Sequence, residues 1–166
     1  MGLVAQLQGD VAINGRLTPT SLTIPAGSVG NASIASGSNV DTDKVEARVY
    51  SSWAQPNSAA TAETRTLFVA KRAGTITSFL AGSIAKAVGD STVTIDVRKN
   101  GTTILSSTIV LDNANTARVA EDGTLNGAAT AFVAGDWFEV VITISAGTGT
   151  LPTGVFAQLE ARQNAT

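Results

Sequence analysis

Residues 91–111 read S-T-V-T-I-D-V-R-K-N-G-T-T-I-L-S-S-T-I-V-L, and the fold turns on them. Val93, Ile95 and Val97 alternate with Thr92, Thr94, Asp96 and Arg98, a period of two that sends one face of a strand into a core and the other toward water. Asn100-Gly101 follows at once, and both residue types accept the positive φ that a two-residue hairpin turn requires. The chain then returns from Thr102 to Leu111. The expectation is an antiparallel hairpin with strands at 91–99 and 102–111.

Outward from this hairpin the same period recurs on both sides. Upstream it predicts strands at about 44–52, with Val45, Ala47 and Val49 on one side, at 63–71, and at 75–81 after Ala73-Gly74. Downstream come a short strand at about 115–120 and another at 136–145, with Phe138, Val140, Ile142 and Ile144 on one face. The last, 153–162, sets Val155, Ala157, Leu159 and Ala161 against Phe156, Gln158 and Glu160. These are eight strands with one tight hairpin, between the fourth and fifth, and long loops at 54–62, 82–90 and 121–135. Such spacing predicts an all-β, eight-stranded antiparallel jelly-roll sandwich, in which most consecutive strands cross between sheets. An immunoglobulin-like sandwich is the alternative, without its Cys-Trp-Cys core marker. Ile84 to Val88 suits a single helical turn at most.

Before residue 44 the character changes. Residues 1–43 contain no aromatic side chain, and their large aliphatics are Leu3, Val4, Leu7, Val11, Ile13, Leu17, Leu22, Ile24, Val29, Ile34 and Val40. Burying all of these contributes roughly 15 to 30 kcal/mol, against roughly 1 to 2 kcal/mol of backbone entropy for every residue ordered. The expected organisation is therefore an extended N-terminal arm, 1–43, and a sandwich, 44–166. Within the arm, 10–24 alternates around Asn14-Gly15 and suits two short strands, with Pro19 at an edge or bulge, while 25–40 is small and polar. An arm this thin needs a partner surface, and Val11, Ile13, Leu22 and Ile24 are the candidates for its buried side.

Composition points the same way. Charged residues are 14% of the 166, against about a quarter in ordinary soluble domains, so much of the surface is expected to meet protein. The net charge is −2 and the Lys and Arg residues are scattered. No basic stripe exists to neutralise a phosphate backbone, and nucleic acid is not an expected partner. Cysteine is absent, which excludes disulfides and thiolate chemistry. Met1 to Asp10 has no basic region followed by an apolar run, and no stretch approaches the about 18 apolar residues of a membrane span. A soluble chain without a signal peptide is expected, with no membrane partner.

Histidine is also absent, so Ser-His-Asp and Cys-His arrangements are impossible and the commonest metal ligand is missing. Neither catalytic residues nor a cofactor are expected. Glu121-Asp122 would point to opposite faces of a strand or into a loop, as solvated carboxylates do. Asp41-Thr42-Asp43 lacks the later oxygens and closing Glu of a calcium loop and reads as a polar cap between arm and sandwich. Asp112-Asn113-Ala114-Asn115 suits an Asx-type turn, with a weak calcium site as the other reading. Gly147 to Pro152 lies between two strands and opens no helix, so it is a loop and not a phosphate cradle. Lys71-Arg72 is placed at a strand end, where charge discourages unwanted pairing. Tyr50, Trp53 and Trp137 could stack on a sugar, but core or interface packing is the simpler role, and Trp53 and Trp137 join the interface candidates.

The run D-V-A-I-N-G-R-L-T-P-T-S-L-T-I-P-A-G-S-V, followed by N-V-D-T-D-K-V-E, resembles an opening of structural proteins of tailed bacteriophages. The resemblance continues through E-T-R-T-L-F-V-A, V-T-I-D-V-R-K-N-G-T-T-I-L and L-D-N-A-N-T-A-R-V-A-E-D-G-T-L to V-A-G-D-W-F-E-V-V-I-T-I-S-A-G-T-G-T-L-P-T-G-V-F, covering most of 10–162. Where such chains are expected to carry a His-rich stretch after the arm, this one reads E-A-R-V-Y-S-S-W. The resemblance is to virion proteins of the head-decoration, cement or head-fibre kind. It implies a homotrimer on the capsid surface that binds the major capsid protein or another virion protein through its arm, made in the host cytoplasm. A receptor- or glycan-binding knob of a phage fibre is the alternative function. A secreted carbohydrate-active module is a third, weakened by the missing signal segment and catalytic constellation.

Overall fold

The computed structural model of the protein describes residues 46–164, and within them two antiparallel sheets pack into a sandwich. Ten strands follow in order: β1 (Ala47–Ala54), β2 (Glu63–Val69), β3 (Gly74–Ala85), β4 (Thr92–Lys99), β5 (Thr102–Thr103), β6 (Ile109–Leu111), β7 (Ala120–Asp122), β8 (Ala131–Phe132), β9 (Trp137–Ser145) and β10 (Thr153–Gln163). A 3-10 turn at Gly127–Ala129 precedes β8. Sheet I runs β1-β10-β3-β7, with β8 also on β3; sheet II runs β2-β9-β4-β5, with β6 also on β4. No helix among the described residues is long and apolar enough to cross a membrane.

The hairpin that opened the sequence reading forms as expected. Asn100 has φ 50° and Gly101 φ 83°, the pair of positive values that defines the favoured two-residue turn, and Lys99 faces Thr102 across it. Val93, Ile95 and Val97 are fully buried. They meet Phe138, Val140 and Ile142 of β9 and, from sheet I, Ile76, Phe79, Val155, Ala157 and Leu159 in one core. Phe132 of β8 stands edge-on to Phe138 (5.4 Å) and Phe68 (6.1 Å), while Phe68 and Phe138 stack at 5.7 Å. That aromatic cluster joins the two sheets at one end of the sandwich.

The structure departs from the sequence expectation in four places, each with a local cause. The run 102–111 is broken, because Ile104 and Leu105 are both buried and a regular strand cannot send consecutive side chains to one face. Ile104 still donates its amide to Val97 O at 3.0 Å, but Leu105 bridges Leu125 and Ser106 N donates to Thr124 O at 2.8 Å, so the chain swings from sheet II toward the loop behind β7. The strand expected at 115–120 lies instead at Ala120–Asp122, after a side-chain turn that occupies the residues before it. The stretch expected as loop at 121–135 contributes β8. Finally β3 extends through Ala85, which takes up the place of a helical turn at 84–88, and Val88 bridges Thr150. The arm 1–43, with Val11, Ile13, Leu22, Ile24, Asp41 and Asp43, lies outside the described residues.

Candidate interaction surface

Strand registers sort every side chain of sheet I to one face or the other. On β1, Val49, Ser51 and Trp53 turn inward while Arg48, Tyr50, Ser52 and Ala54 turn outward. Register then builds outward rows across the sheet: Ala54 beside Phe156 beside Gly82, Ser52 beside Gln158 beside Leu80, Tyr50 beside Glu160 beside Ser78. The first of these rows is wholly apolar and the second carries Leu80, where solvent-facing rows are ordinarily polar. Tyr50 is 58% exposed, and Ile84 at the end of β3 is another exposed large apolar side chain. Charge gathers at the opposite end, where Arg48 pairs with Glu160 at 3.0 Å and Arg162 with Glu46 at 3.2 Å.

The small residues of β1 leave a depression beside the large ones of β10 and β3. Ser52, Ala54, Leu80, Phe156 and Gln158, with Trp53 and Ala157, line a groove of about 320 Å³. Its floor depends on one glycine. A Cβ on Gly82 would lie 2.6 Å from the Phe156 ring and 2.7 Å from Val119 O, so the missing side chain is what lets the ring settle across β3. The groove is shallow and carries neither carboxylate pair nor metal-ligand set; among the described residues no three acidic or ligating side chains gather anywhere.

Sheet II presents a different exterior. Thr64 and Thr66 of β2, Thr92 and Thr94 of β4, and Thr143 and Ser145 of β9 face outward around Val141. Asp96 lies on that same face yet is only 7% exposed; it accepts from Arg98 Nε at 2.8 Å and from Thr103 Oγ1 at 2.5 Å. At one corner Val69, 54% exposed, stands beside Trp137 at 37%. The amide of Trp137 donates to Asn100 Oδ1 at 3.0 Å, and Asn100 Nδ2 donates to Asp136 Oδ1 at 2.7 Å. Asp136 also accepts from the Val133 amide at 2.9 Å, and these bonds hold its carboxyl below the usual carboxylate range.

The tryptophans singled out from sequence are thus separated. Trp53 turns toward the core from β1, and Trp137 begins β9 on the other sheet. Tyr50 and Trp53 lie on opposite faces of one strand, so the three aromatics form no common platform. Glu121 and Asp122 point to opposite faces of β7, and Glu121 accepts from Asn115 Nδ2 at 3.0 Å. The Asp112 to Asn115 segment is the Asx turn: Asn115 Oδ1 accepts from the Asp112 amide at 2.5 Å and Asp112 Oδ1 from the Ala114 amide at 2.8 Å. The Gly147 to Pro152 loop is tied to the neighbouring loop by Asp90, which accepts from Thr148 N at 2.7 Å and Oγ1 at 3.1 Å. Those bonds, the backbone one first, hold Asp90 below its ordinary range. The outward patch of Leu80, Phe156 and Gln158 was the surface that sequence reasoning passed over, although an aromatic in the polar register of β10 was its visible signal.

A scan against models of protein families finds no match, and a search of curated proteins finds none either.

Proposed function

We propose that this chain is a structural protein of a tailed-phage virion, one that decorates the assembled head, fastening through residues 1–43 and presenting the sandwich outward. The observation that carries the reading is the apolar exterior of sheet I, with Tyr50, Leu80, Ile84 and Phe156 facing out of a chain that is only 14% charged. A face of that character suits contact with protein. No histidine and no cysteine are present to support an enzymatic reading. The strand order supports a jelly-roll topology: β1-β10-β3-β7 against β2-β9-β4-β5 is the order of two interleaved Greek keys, with β5 and β6 sharing one strand position and β7 and β8 another.

In this reading the leading segment adds strands to edges of neighbouring proteins, where main-chain hydrogen bonds supply affinity and alternate side chains supply register. Val11, Ile13, Leu22 and Ile24 are the side chains that would be buried in doing so. The test is deletion of residues 1–43 followed by binding to head particles stripped of the protein. The expected result is a sandwich with unchanged far-ultraviolet dichroism that no longer co-sediments with particles. Full occupancy by the truncated chain would end the reading.

A further inference from the structure

The two strands that end the sheets on one side of the sandwich are not alike. The outer strand of sheet II, β2, carries the protections of a natural edge: its register breaks between Thr66 and Phe68, Glu63 and Arg65 place an ion pair along it at 2.6 Å, and Lys71 and Arg72 follow its end. The outer strand of sheet I, β1, has no register break and no ion pair running along it; its charge is confined to one end, where Arg48 pairs with Glu160 of β10 and Glu46, just before the strand, with Arg162. It is eight residues long, holds no proline, has one charged residue, Arg48, and pairs with β10 without a register shift. Long unguarded edges of this kind are templates for another strand.

Backbone geometry says which groups are open. Just past the last β1–β10 pair, Ala54 with Phe156, the amide of Gln55 donates to Val155 O at 2.7 Å, continuing that register by one residue. In an antiparallel ladder bonding alternates along the strand, so the odd residues of β1 bond to β10, and Arg48, Tyr50, Ser52 and Ala54 direct their N–H and C=O groups away from it. Among the described residues, nothing accepts or donates to these groups. The side chains of the same four residues face outward, next to the groove.

We propose that two copies of this chain join through β1, paired antiparallel about Ser51 so that sheet I runs continuously across a two-fold axis. That register alone uses all four open residues, setting Arg48 opposite Ala54 and Tyr50 opposite Ser52 of the second copy. It is also self-complementary in shape. Tyr50, a large side chain 58% exposed, stands across from the small residues Ser52 and Ala54 and leans into the groove they form with Phe156, Leu80 and Gln158. An isologous contact repeats this knob and groove twice. The proposal does not depend on the decoration reading, and it differs from the threefold association that the phage resemblance implies.

Light scattering of the full chain over a concentration series tests it. The expected mass is twice 16.8 kDa. Ser52→Pro removes an N–H that points away from β10, a position where an edge strand accepts proline, and is expected to halve the mass. Tyr50→Lys brings two ammonium groups together near the axis without touching the core and is expected to do the same, and it decides the matter alone if the proline variant does not fold. Thr64→Lys, on the exterior of sheet II, is expected to leave the mass unchanged. A single-chain or three-chain mass for the unaltered protein, or a two-chain mass that survives Tyr50→Lys, overturns the proposal. The deletion of residues 1–43 leaves β1 in place, so loss of particle binding and loss of dimer are read separately.

Discussion

Sheet II turns Thr64, Thr66, Thr92, Thr94 and Thr143 to the outside, whereas sheet I turns out Tyr50, Leu80, Ile84 and Phe156. Inside, the sheets are equivalent, since both supply fully buried β-branched and aromatic side chains to one core. The difference teaches that the alternation creating a sandwich constrains only the inner face. The outer one is free to carry function, and in this chain the two exteriors have diverged, one toward hydroxyls and one toward oil. The guarded edge, β2, belongs to the hydroxyl-bearing sheet, and the unguarded edge, β1, to the oily one.

The strongest test of this contrast compares two rings. Phe138, fully buried within the aromatic cluster, is expected to cost about 3–5 kcal/mol on replacement by alanine. Phe156→Ala, on the exterior of sheet I, is expected to cost about 1 kcal/mol. Denaturant midpoints measure both, and equal losses would mean that the exterior of sheet I is part of the core. Gly82→Val comes next. Its added carbons collide with the Phe156 ring and the Val119 carbonyl, and overpacking of this kind costs about 1–3 kcal/mol. The variant should also lose the groove, and with it whatever association the groove supports.

The smallest effect concerns pH. Asp136 and Asp90 are held below their ordinary range chiefly by the Val133 and Thr148 amides. Glu63 is opposed by burial, but hydrogen bonds from Gln55 and Arg65 keep it low as well. A carboxyl whose folded value is depressed adds stability that is complete above its unfolded value, about 4, and is lost as pH falls through the folded value. The melting temperature is therefore expected to be level near neutrality and to drop below about pH 4. Asp136→Asn should make the drop shallower. A melting temperature that rises on acidification would contradict the assignment.

How far the sequence reads through to this structure depends on the element. The 92–99 strand and its Asn100-Gly101 turn were legible because pattern and turn chemistry agree, as were the long runs that became β9 and β10. The 102–111 run misled, because threonine, isoleucine and leucine suit a strand at every position while the adjacent Ile104 and Leu105 both belong to the core. Two-residue strands such as β8 are set by tertiary pairing with β3 and leave almost no local pattern. Of the candidate surface, Trp53 and Trp137 drew attention by size, yet the relevant neighbours are Tyr50, Leu80 and Phe156, which come from three strands far apart in sequence. Each looks like an ordinary outward residue alone. Only register brings them onto one outward face, in three successive rows.

Ala47 lies directly opposite Gln163, so the first and last strands are neighbours that leave the domain at the same corner. Tension applied between those two points would load the β1–β10 ladder one rung at a time and open it as a zipper, with little resistance. The sandwich is therefore soft when stretched between its own ends, because the bonds of one ladder yield in turn and not together.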